Sequence, residues 1–333
     1  MKTHQNQALI TGNIRVALLR WYRAHRRDLP WRKSRDPYAI WVSEIMLQQT
    51  RVAAVIDYYE KFMRLFPNVE ALARANEHEV LAAWSGLGYY RRARNLQAAA
   101  KVIVSQANGR VPSTSFTLRE LPGVGRYTSA AIASIAYGEP TAVVDGNVER
   151  VLERLDGVAR AGEAVWTRAQ ELLDPKAAGD WNQAMMELGA TVCTPVTPSC
   201  DKCPVKRWCK LPGHDVRKEQ PPRNKRELVY GLAVRGERVY LRQRGKDESL
   251  MPMMWELPAD DESSKVDVVA RLKHSITNSD YAITITKMNA AAVPKGGKWV
   301  STGSLTELPL TGIARKALRK LGILSGAAKS SSE

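Results

Sequence analysis

The spacing of apolar residues divides the chain into two parts with different periodicity. From Thr11 to about residue 190, apolar residues recur every three or four positions, as in Ile14, Leu18 and Trp21, which is typical of amphipathic helices. After about residue 228, short runs rich in Val, Ile, Tyr and Thr predict strands, and Thr311 to Leu321 predicts a closing helix. The sequence therefore predicts an all-α region followed by an α+β region.

Start and stop signals delimit the helices of the first part. Asp36 and Pro37 have the residue types of an N-cap and first helical position for a helix through IWVSEIMLQQ. A second helix follows Thr50 and is stopped by Pro67. The same reasoning predicts further helices at Val69 to Ala75, EHEVLAAW, Asn95 to Ala107, GNVERVLERL, WTRAQELL and WNQAMMELGA.

One segment separates the two parts. RKEQPPRNKRE is charged, contains prolines and lacks apolar residues, as expected of a linker. Beyond it, LVYGLAVRGERVYLRQR predicts two strands round a polar turn, and WELPA, YAITITKM and KWVS predict others. We assign residues 1–215 to the all-α region, 216–227 to the linker, 228–323 to the α+β domain and 324–333 to a disordered tail.

A glycine-rich turn connects two predicted helices and precedes a carboxylate at Asp145. In LPGVG, Gly123 and Gly125 permit positive φ and leave backbone N–H groups uncovered by side chains. The helix that follows presents its positive N-terminal end, so the turn can bind a phosphate. An ordinary packing corner between helices is the alternative on local sequence.

The charge of the chain points to a polyanionic partner. The formal net charge is +16, which favours a nucleic acid or an acidic membrane surface. No apolar run approaches the roughly 18 residues of a membrane span, and the N-terminus has no signal-peptide core. We therefore expect a soluble intracellular protein that binds no membrane.

All the cysteines lie in one short segment with the spacing C-x6-C-x2-C-x5-C. An intracellular chain keeps thiols reduced, so four clustered cysteines favour a metal site over disulfides. A four-cysteine zinc site usually shows two CxxC-type pairs, whereas this segment has one, so an iron–sulfur cluster is the better match. The predicted ligands are Cys193, Cys200, Cys203 and Cys209.

Glu44 occupies an unusual position, because on a helix it shares a face with Ile40, Trp41 and Leu47. Desolvation there would raise its pKa, as a general acid working near neutrality requires. The alternative is a glutamate at the edge of the apolar stripe that reaches solvent. For Asp145, the corresponding alternative is a helix cap.

Taken together, these segments resemble the MutY family of adenine DNA glycosylases, in the helix–hairpin–helix superfamily that also includes endonuclease III. The resemblance covers nearly the whole chain. It rests on WVSEIMLQQT, GLGYYRRARNL, LPGVGRYTSAAI, VVDGNVERVL and the cysteine segment, in matching order. It implies excision of adenine mispaired with 8-oxoguanine or guanine in base excision repair, after the adenine is flipped out of double-stranded DNA.

The resemblance also implies roles for four residues. Glu44 protonates the departing adenine at N7 and then helps to activate water. Asp145 stabilises the oxocarbenium-like sugar, by charge or by transient covalency, and Asn147 orients the site. A lyase of the endonuclease III kind has a lysine at the position of Tyr127, and a tyrosine cannot form a Schiff base. A monofunctional glycosylase is therefore expected.

Other implied positions concern binding and organisation. The family divides its α region into a six-helix domain, here about 30–136, and an iron–sulfur domain, here 1–29 and 137–215, with a [4Fe–4S] cluster. Its C-terminal domain is Nudix-like and recognises 8-oxoguanine, and a monomer is expected. The implied adenine-pocket residues are Arg27, Trp31, Arg32, Leu47, Val52, Gln183 and Glu187; those that wedge into the duplex near the opposing base are Gln49 and Tyr89; those that hold the DNA backbone, with a monovalent cation, are Gly123, Val124 and Gly125.

The sequence departs from the family where many members carry a Phe-Ser-His loop that contacts the lesion. This chain has Ile276, Thr277 and Asn278 there, and Thr277 and Asn278 can still hydrogen-bond a base edge. Two other functions are compatible with the motifs: an endonuclease III-like glycosylase/lyase for oxidised pyrimidines, or a non-catalytic iron–sulfur DNA-binding protein. Tyr127 argues against the first, and a carboxylate on an apolar stripe argues against the second.

Overall fold

The structure is a computed structural model, and it describes residues 2–214, 222–248, 251–260, 267–276 and 278–324, with side chains from residue 8 onward. The chain forms two compact units. The first comprises Met1–Arg74 and Ala98–Glu219, and the second comprises Ala75–Gln97 and Gln220–Glu333. The second unit thus contains a segment from the middle of the α region. The domain boundaries at 215/216 and 227/228 stay predictions.

The helices follow the predicted pattern. Their bounds are α1 Lys2–His25, α2 Pro37–Leu47, α3 Val52–Leu65, α4 Val69–Arg74, α5 Glu77–Trp84, α6 Arg91–Ala107, α7 Ser115–Leu118, α8 Arg126–Tyr137, α9 Gly146–Asp156, α10 Glu163–Leu172 and α11 Ala178–Thr191, with 3₁₀ turns at Pro30–Arg32, Cys200–Lys202 and Lys206–Trp208. Helix α5 and the start of α6 belong to the second unit. Among the described residues, no helix is both long and apolar enough to cross a membrane.

Helix α2 is the central helix of the first unit. The Asp36 carboxylate accepts a hydrogen bond from the Tyr38 N–H at 3.0 Å, and Pro37 opens the helix, as the sequence predicts. Every residue from Tyr38 to Met46 is buried, which is typical of a core helix. Glu44 is therefore carried into the interior by its own helix.

Small residues let three other helices approach one another closely. A Cβ placed on Gly179 of α11 would lie 2.6 Å from the main-chain oxygen of Ser134 and 2.9 Å from the Cα of Ile135, both in α8. One placed on Gly189, also in α11, would lie 2.5 Å from the Cβ of Asn147 in α9. Helix α11 thus lies against α8 and α9 at distances that only glycine permits.

The second unit contains two sheets. Its elements are β1 Asn224–Leu232, β2 Val234–Arg235, β3 Arg238–Gln243, β4 Trp255–Glu256, β5 Val268–Ile276, β6 Ser279–Lys287, β7 Gly297–Ser301, a 3₁₀ turn at Thr302–Glu307 and α12 Gly312–Lys320. In one sheet β6 lies between β1, which is parallel to it, and β5, which is antiparallel. In the other, β3 pairs antiparallel with β2, β4 and β7. The α+β prediction for this region is confirmed.

Two details differ from the sequence prediction. Strand β5 was not predicted: Ala270 and Leu272 are buried, but Arg271 and Lys273 alternate with them, and pairing with β6 makes this basic segment a strand. Strand β1 begins at Asn224, inside the predicted linker, because main-chain pairing along the sheet edge does not require apolar side chains.

The predicted linker and the predicted tail are described only in part. Residues 216–221 of the linker and 325–333 of the tail lie outside the described residues. Leu324, the first residue of the predicted tail, is buried in the core of the second unit. The tail prediction is therefore wrong at that residue.

Substitution of Gly179 tests the close approach of α11 to α8. Gly179→Ala should lower the free energy of unfolding by about 1–3 kcal/mol, because the new methyl group meets main-chain atoms that cannot rotate away. Chemical denaturation followed by circular dichroism measures this change. The matched control is Gly12→Ala in α1, where nothing lies within 4 Å and the alanine should stabilise the helix by roughly 0.5–1 kcal/mol. Equal effects of the two substitutions would contradict the packing described.

Candidate active site

A cavity of about 510 Å³ in the first unit brings together most of the predicted site residues. It lies among α2, α8, α9, α11 and the 3₁₀ turn at Pro30–Arg32. The predicted residues that line it are Arg27, Trp31, Arg32, Glu44, Leu47, Gln49, Val52, Tyr127, Asp145, Asn147, Gln183 and Glu187. These residues are spread over some 160 positions of sequence, so the fold alone assembles them.

Glu44 lies in the wall of this cavity with only 6 % of its surface exposed. The alternative of a glutamate that reaches solvent is therefore wrong. The pKa of Glu44 is raised to about 7 overall: burial is the main cause and the negative charge of Asp145 adds to it, while a hydrogen bond from Tyr127 and the charge of Arg32 act in the opposite direction. Near neutral pH this carboxyl is thus divided between its acid and its base form.

Tyr127 is the hydrogen-bond partner of Glu44. Its hydroxyl donates to Oε2 of Glu44 at 2.9 Å and also lies 3.2 Å from the Sδ of Met186. Burial, together with the nearby charges of Glu44 and Asp145, raises the pKa of Tyr127 well above its ordinary value. The phenol therefore stays protonated and acts as a donor. Met186 was not predicted, since a methionine on an apolar helix face gives no signal of function.

Asp145 follows the buried segment Ala142 to Val144 and caps helix α9. Its Oδ1 accepts hydrogen bonds from the N–H groups of Asn147 at 2.9 Å and Val148 at 2.8 Å. Its Oδ2 accepts from the side-chain amide of Asn147 at 2.9 Å. These donors fix the orientation of the carboxylate. The cap interpretation is confirmed and the catalytic role of Asp145 stays a prediction, with the cap holding the carboxylate at the cavity wall.

Asn147 is itself held by Arg150, a residue that sequence reasoning missed. The Nη2 of Arg150 donates to Oδ1 of Asn147 at 2.7 Å and to the carbonyl of Gly189 at 2.8 Å, and its Nε donates to the carbonyl of Cys193 at 2.8 Å. One guanidinium thus connects the site to the start of the cysteine segment. The sequence signal that could have identified Arg150 is its position one helical turn after Asn147 on the same helix.

Glu187 forms a buried ion pair with two arginines. Arg27 donates to both of its carboxylate oxygens at 2.8 Å, and Arg32 donates to Oε2 at 2.8 Å. Burial would raise the pKa of Glu187, but these hydrogen bonds and charges outweigh burial and lower its pKa to about 2. Glu187 is therefore ionised at neutral pH, and the pair fixes the arginine side of the cavity.

The remaining wall is largely apolar. Trp31 is buried and meets the ring of Tyr59 edge to face, with 5.4 Å between the ring centroids. Leu47 and Val52 continue this wall, and Gln183 and Gln49 add amide groups to the lining. An apolar cavity with a few convergent polar groups is typical of a binding site for a small molecule.

The glycine turn has the predicted left-handed residue. Gly123 has φ of +75°, and Gly125 precedes α8 as an N-cap with no side-chain cap. Both glycines are exposed. Val124 differs from the prediction, because its N–H donates to the carbonyl of Leu121 at 3.1 Å and its side chain is buried. That N–H closes the turn and is not directed to a ligand.

The four cysteines line one small cavity, so they fit a shared inorganic group. Arg154, only 2 % exposed, donates to the Sγ of Cys193 at 3.2 Å and to the carbonyls of Thr194, Pro195 and His214. The pKa of Cys203 is raised to about 11 overall, mainly by burial and also by the other cysteines, while a hydrogen bond from the Val205 N–H acts in the opposite direction. Within the described residues, no three Cys, His, Asp or Glu side chains converge as for a single metal ion.

The residues predicted to wedge into the duplex or to contact the lesion are distributed over both units. Tyr89 follows α5 and is 43 % exposed with φ of +50°. Gln49, in the first unit, is also exposed with a positive φ of 55°. Asn278 is exposed in the turn between β5 and β6, and Thr277 lies outside the described residues.

The fold agrees with those of known proteins. Residues 42–175 match the family described as HhH-GPD superfamily base excision DNA repair protein. A solved structure of a thermostable thymine-DNA glycosylase is 31% identical, with a TM-score of 0.57 over 63% of this chain and 98% of that chain. The fold and the cavity thus define a member of the helix–hairpin–helix superfamily.

Two relatives narrow this assignment. Adenine DNA glycosylase of Buchnera aphidicola subsp. Acyrthosiphon pisum is 36% identical over 257 residues, which cover 72% of each chain. Adenine DNA glycosylase of Rattus norvegicus is 52% identical over 212 residues, or 59% of this chain and 41% of that protein. The chain belongs to the adenine DNA glycosylase family. It spans about two fifths of the length of the rat relative.

The ion pair of Glu187 gives a prediction about stability and pH. The folded-state pKa of about 2 lies below the ordinary value of 4.5, so the ionised carboxylate stabilises the fold above that value and loses this contribution as pH falls towards 2. The unfolding free energy of the wild type, relative to Glu187→Gln, should therefore fall by about 3 kcal/mol over that range. Denaturation at a series of pH values measures it.

The matched control is Glu171→Gln. Glu171 pairs with Arg168 at 3.0 Å, but its side chain is 58% exposed. Such a pair contributes about 0–1 kcal/mol, so this variant should follow the wild type at every pH. A Glu187→Gln variant that does the same would contradict the buried ion pair.

Proposed function

We propose that this protein is a monofunctional DNA glycosylase that flips out and excises adenine mispaired with 8-oxoguanine or guanine. The observation that carries the proposal is the Glu44 carboxyl, buried with a pKa of about 7 and hydrogen-bonded to Tyr127, in one cavity with Asp145. The adenine DNA glycosylase relatives support adenine as the base. The net charge of +16 supports duplex DNA as the partner. We propose that the protein acts on it as a monomer inside the cell.

The cavity would receive the flipped adenine. Extrusion of a base costs a few kcal/mol of unstacking, which contacts in the pocket must offset. The apolar surface of Trp31, Leu47 and Val52 offers stacking and dispersion contacts, and Gln183 offers hydrogen bonds to the edge of the base. Arg27 and Arg32 are pre-positioned by Glu187. A fixed wall reduces the entropy lost on binding.

Glu44 would supply the proton. Protonation at N7 of adenine turns a poor leaving group into a neutral base, so the N-glycosidic bond breaks with the electron pair retained by the adenine. A carboxyl with a pKa of about 7 holds its proton in a large fraction of molecules at neutral pH. After cleavage the resulting carboxylate can accept a proton from the water that attacks the sugar.

Asp145 would stabilise the positive charge that develops on the sugar. Its carboxylate is fixed by Asn147 and Val148, so little reorganisation is required as the charge forms. Glu44 and Asp145 thus divide the work as paired carboxylates do in glycosidases, one as acid and one as anion. Buried Glu44 carries the proton, and capped Asp145 carries the charge.

Tyr127 makes the proposed reaction a simple hydrolysis. A phenol cannot form a Schiff base with the sugar, which would be needed for cleavage of the strand by β-elimination. Tyr127 instead donates to Glu44 and so moderates the pKa of that carboxyl. This favours the glycosylase function over the endonuclease III-like alternative.

Several groups would hold the DNA. The exposed N–H groups of Gly123 and Gly125, at the positive end of α8, suit a phosphate, with a monovalent cation beside them. Gln49 and Tyr89 would occupy the gap left by the flipped base. Thr277 and Asn278 would contact 8-oxoguanine on the opposing strand.

We also propose that Cys193, Cys200, Cys203 and Cys209 hold a [4Fe–4S] cluster, as predicted from their spacing. Such a cluster would supply folding free energy by linking four points of an irregular segment. Arg154 would donate to the Cys193 thiolate, and it also orders the surrounding carbonyl groups. Arg150 then joins this segment to Asn147.

The proposal is tested by adenine release from a duplex with adenine opposite 8-oxoguanine, under single-turnover conditions. Wild type should release adenine and leave the strand unbroken until alkali or heat is applied. Glu44→Gln should reduce the rate about 10²–10⁴-fold, because the proton donor is removed. Glu60→Gln, an exposed glutamate on α3, serves as control and should behave as wild type.

Each expected result of this adenine-release test would be contradicted by a different observation. No release by the wild type would overturn the proposed function. Strand cleavage without alkali would point to a glycosylase/lyase. If Glu44→Gln releases adenine at the wild-type rate, Glu44 is not the general acid. That result would favour a DNA-binding protein whose preparation contains another enzyme.

The pH dependence tests the bond between Tyr127 and Glu44. The rate of the chemical step should fall as pH rises above about 7, because Glu44 then loses the proton it donates. Tyr127→Phe removes a hydrogen bond that lowers the Glu44 pKa, so the fall should move to higher pH. Tyr137→Phe, which loses only a bond to the Val111 carbonyl, is the matched control. A fall at the same pH in all three proteins would contradict the assignment.

A further inference from the structure

The loop Ser85 to Tyr90 contains Tyr89 and has an unusual backbone conformation with several positive φ angles. Gly86, Gly88 and Tyr89 have φ values of +115°, +74° and +50°. Glycine tolerates such values, but a tyrosine adopts them only where its surroundings hold the backbone in place. The loop contains no regular element. Within it, the carbonyl of Gly88 accepts a hydrogen bond from the indole N–H of Trp84 at 3.1 Å, and groups that contact its two ends constrain it further.

Both ends of the loop are bonded to one carbonyl of the second unit. The Oγ of Ser85 donates to the carbonyl oxygen of Leu310 at 2.9 Å, and the hydroxyl of Tyr90 donates to the same oxygen at 3.1 Å. The N–H of Gly86 also lies 3.3 Å from the Tyr90 hydroxyl. Ser85, Tyr90 and Leu310 are all buried, so water does not compete for these bonds.

Leu310 is itself fixed by strand β4. The N–H of Trp255 donates to the carbonyl of Pro309 at 2.9 Å, and the N–H of Thr311 donates to the carbonyl of Trp255 at 2.9 Å. The side chain of Leu310 is completely buried in the core of the second unit. Its carbonyl is therefore a rigid acceptor at a defined place.

Two arginines complete the arrangement. Arg94 donates to the carbonyl of Pro252 at 2.6 Å and to Glu77 at 2.7 Å, which fastens the start of α6 to the same unit. The guanidinium of Arg92 lies 5.3 Å from the ring centroid of Tyr89 and 5.5 Å from that of Trp84. The Tyr89 ring, although 43 % exposed, thus has a supported orientation.

We propose that Ser85 and Tyr90 are positioning residues, through which the carbonyl of Leu310 holds Tyr89 ready to enter the DNA duplex. This rests on the proposed function. The C-terminal β structure then has a task besides contact with the opposing base: it places the side chain that fills the gap left by adenine. Since the bonds to Leu310 act on the backbone of the loop, their loss should affect 8-oxoguanine and guanine mispairs equally.

A double-mutant cycle tests the coupling. Tyr89→Ala, the pair Ser85→Ala with Tyr90→Phe, and all three substitutions together are compared with wild type, on duplexes with adenine opposite 8-oxoguanine or guanine. Duplex affinity and the single-turnover rate of adenine release are both measured. Tyr89→Ala should weaken binding about tenfold, as loss of one stacking side chain does.

The paired substitution should cause most of that loss by itself, and adding Tyr89→Ala to it should cost less than about twofold more. The ratio between the two mispairs should stay that of wild type. Ser85→Ala and Tyr90→Phe are also made singly, so that a variant that folds is available. Tyr240→Phe is the matched control, since the Tyr240 hydroxyl is bonded to the Pro294 carbonyl of the same unit. In a protein that carries Tyr240→Phe, Tyr89→Ala should still weaken duplex binding about tenfold.

Additive losses would overturn the proposal, because a merely structural defect weakens binding whether or not Tyr89 is present. A changed ratio between the mispairs would also overturn it, since that would indicate a role in reading the opposing base. Failure of the proposed function is a separate result: wild type would then release no adenine, while the affinity cycle would still decide whether the loop positions Tyr89.

Discussion

The site depends on the burial of one carboxyl group. Helix α2 is apolar on all sides, so it can lie only in the core, and it takes Glu44 with it. Desolvation raises the pKa of that carboxyl to about 7, and the bond from Tyr127 keeps the rise moderate. The same surroundings set the protonation state and the orientation of Glu44, so one helix supplies both core packing and the carboxyl group on which the proposed function rests.

Around this carboxyl, the other groups are held by bonds that serve the fold as well as the site. Asp145 caps α9, Arg150 joins Asn147 to the cysteine segment, and Glu187 forms ion pairs with two arginines. Each residue would count as structural if seen alone. Their function follows from the cavity that they share, because a group already fixed by the fold loses little entropy when a substrate binds.

The second unit shows how a distant part of the sequence can support a local conformation. A tyrosine with positive φ is unfavourable by itself, and two hydrogen bonds to the carbonyl of Leu310 hold the loop that contains it. The unit is therefore built from residues 75–97 and the C-terminal β structure together.

Local sequence determined the helices, the Asp36 and Pro37 helix start, the glycine turn and the clustering of the cysteines, because each depends on neighbours within a few residues. The residue types of the site were also readable, and Glu44 was notable because a carboxylate on an apolar stripe requires an explanation. Strand β5, the Glu187 ion pair, Arg150 and the attachment of the Tyr89 loop to Leu310 were decided only by tertiary structure. Strand β5 pairs with residues up to 18 positions away, and the other three depend on partners between 43 and 225 residues apart, and such contacts leave no periodic trace in either partner's own segment.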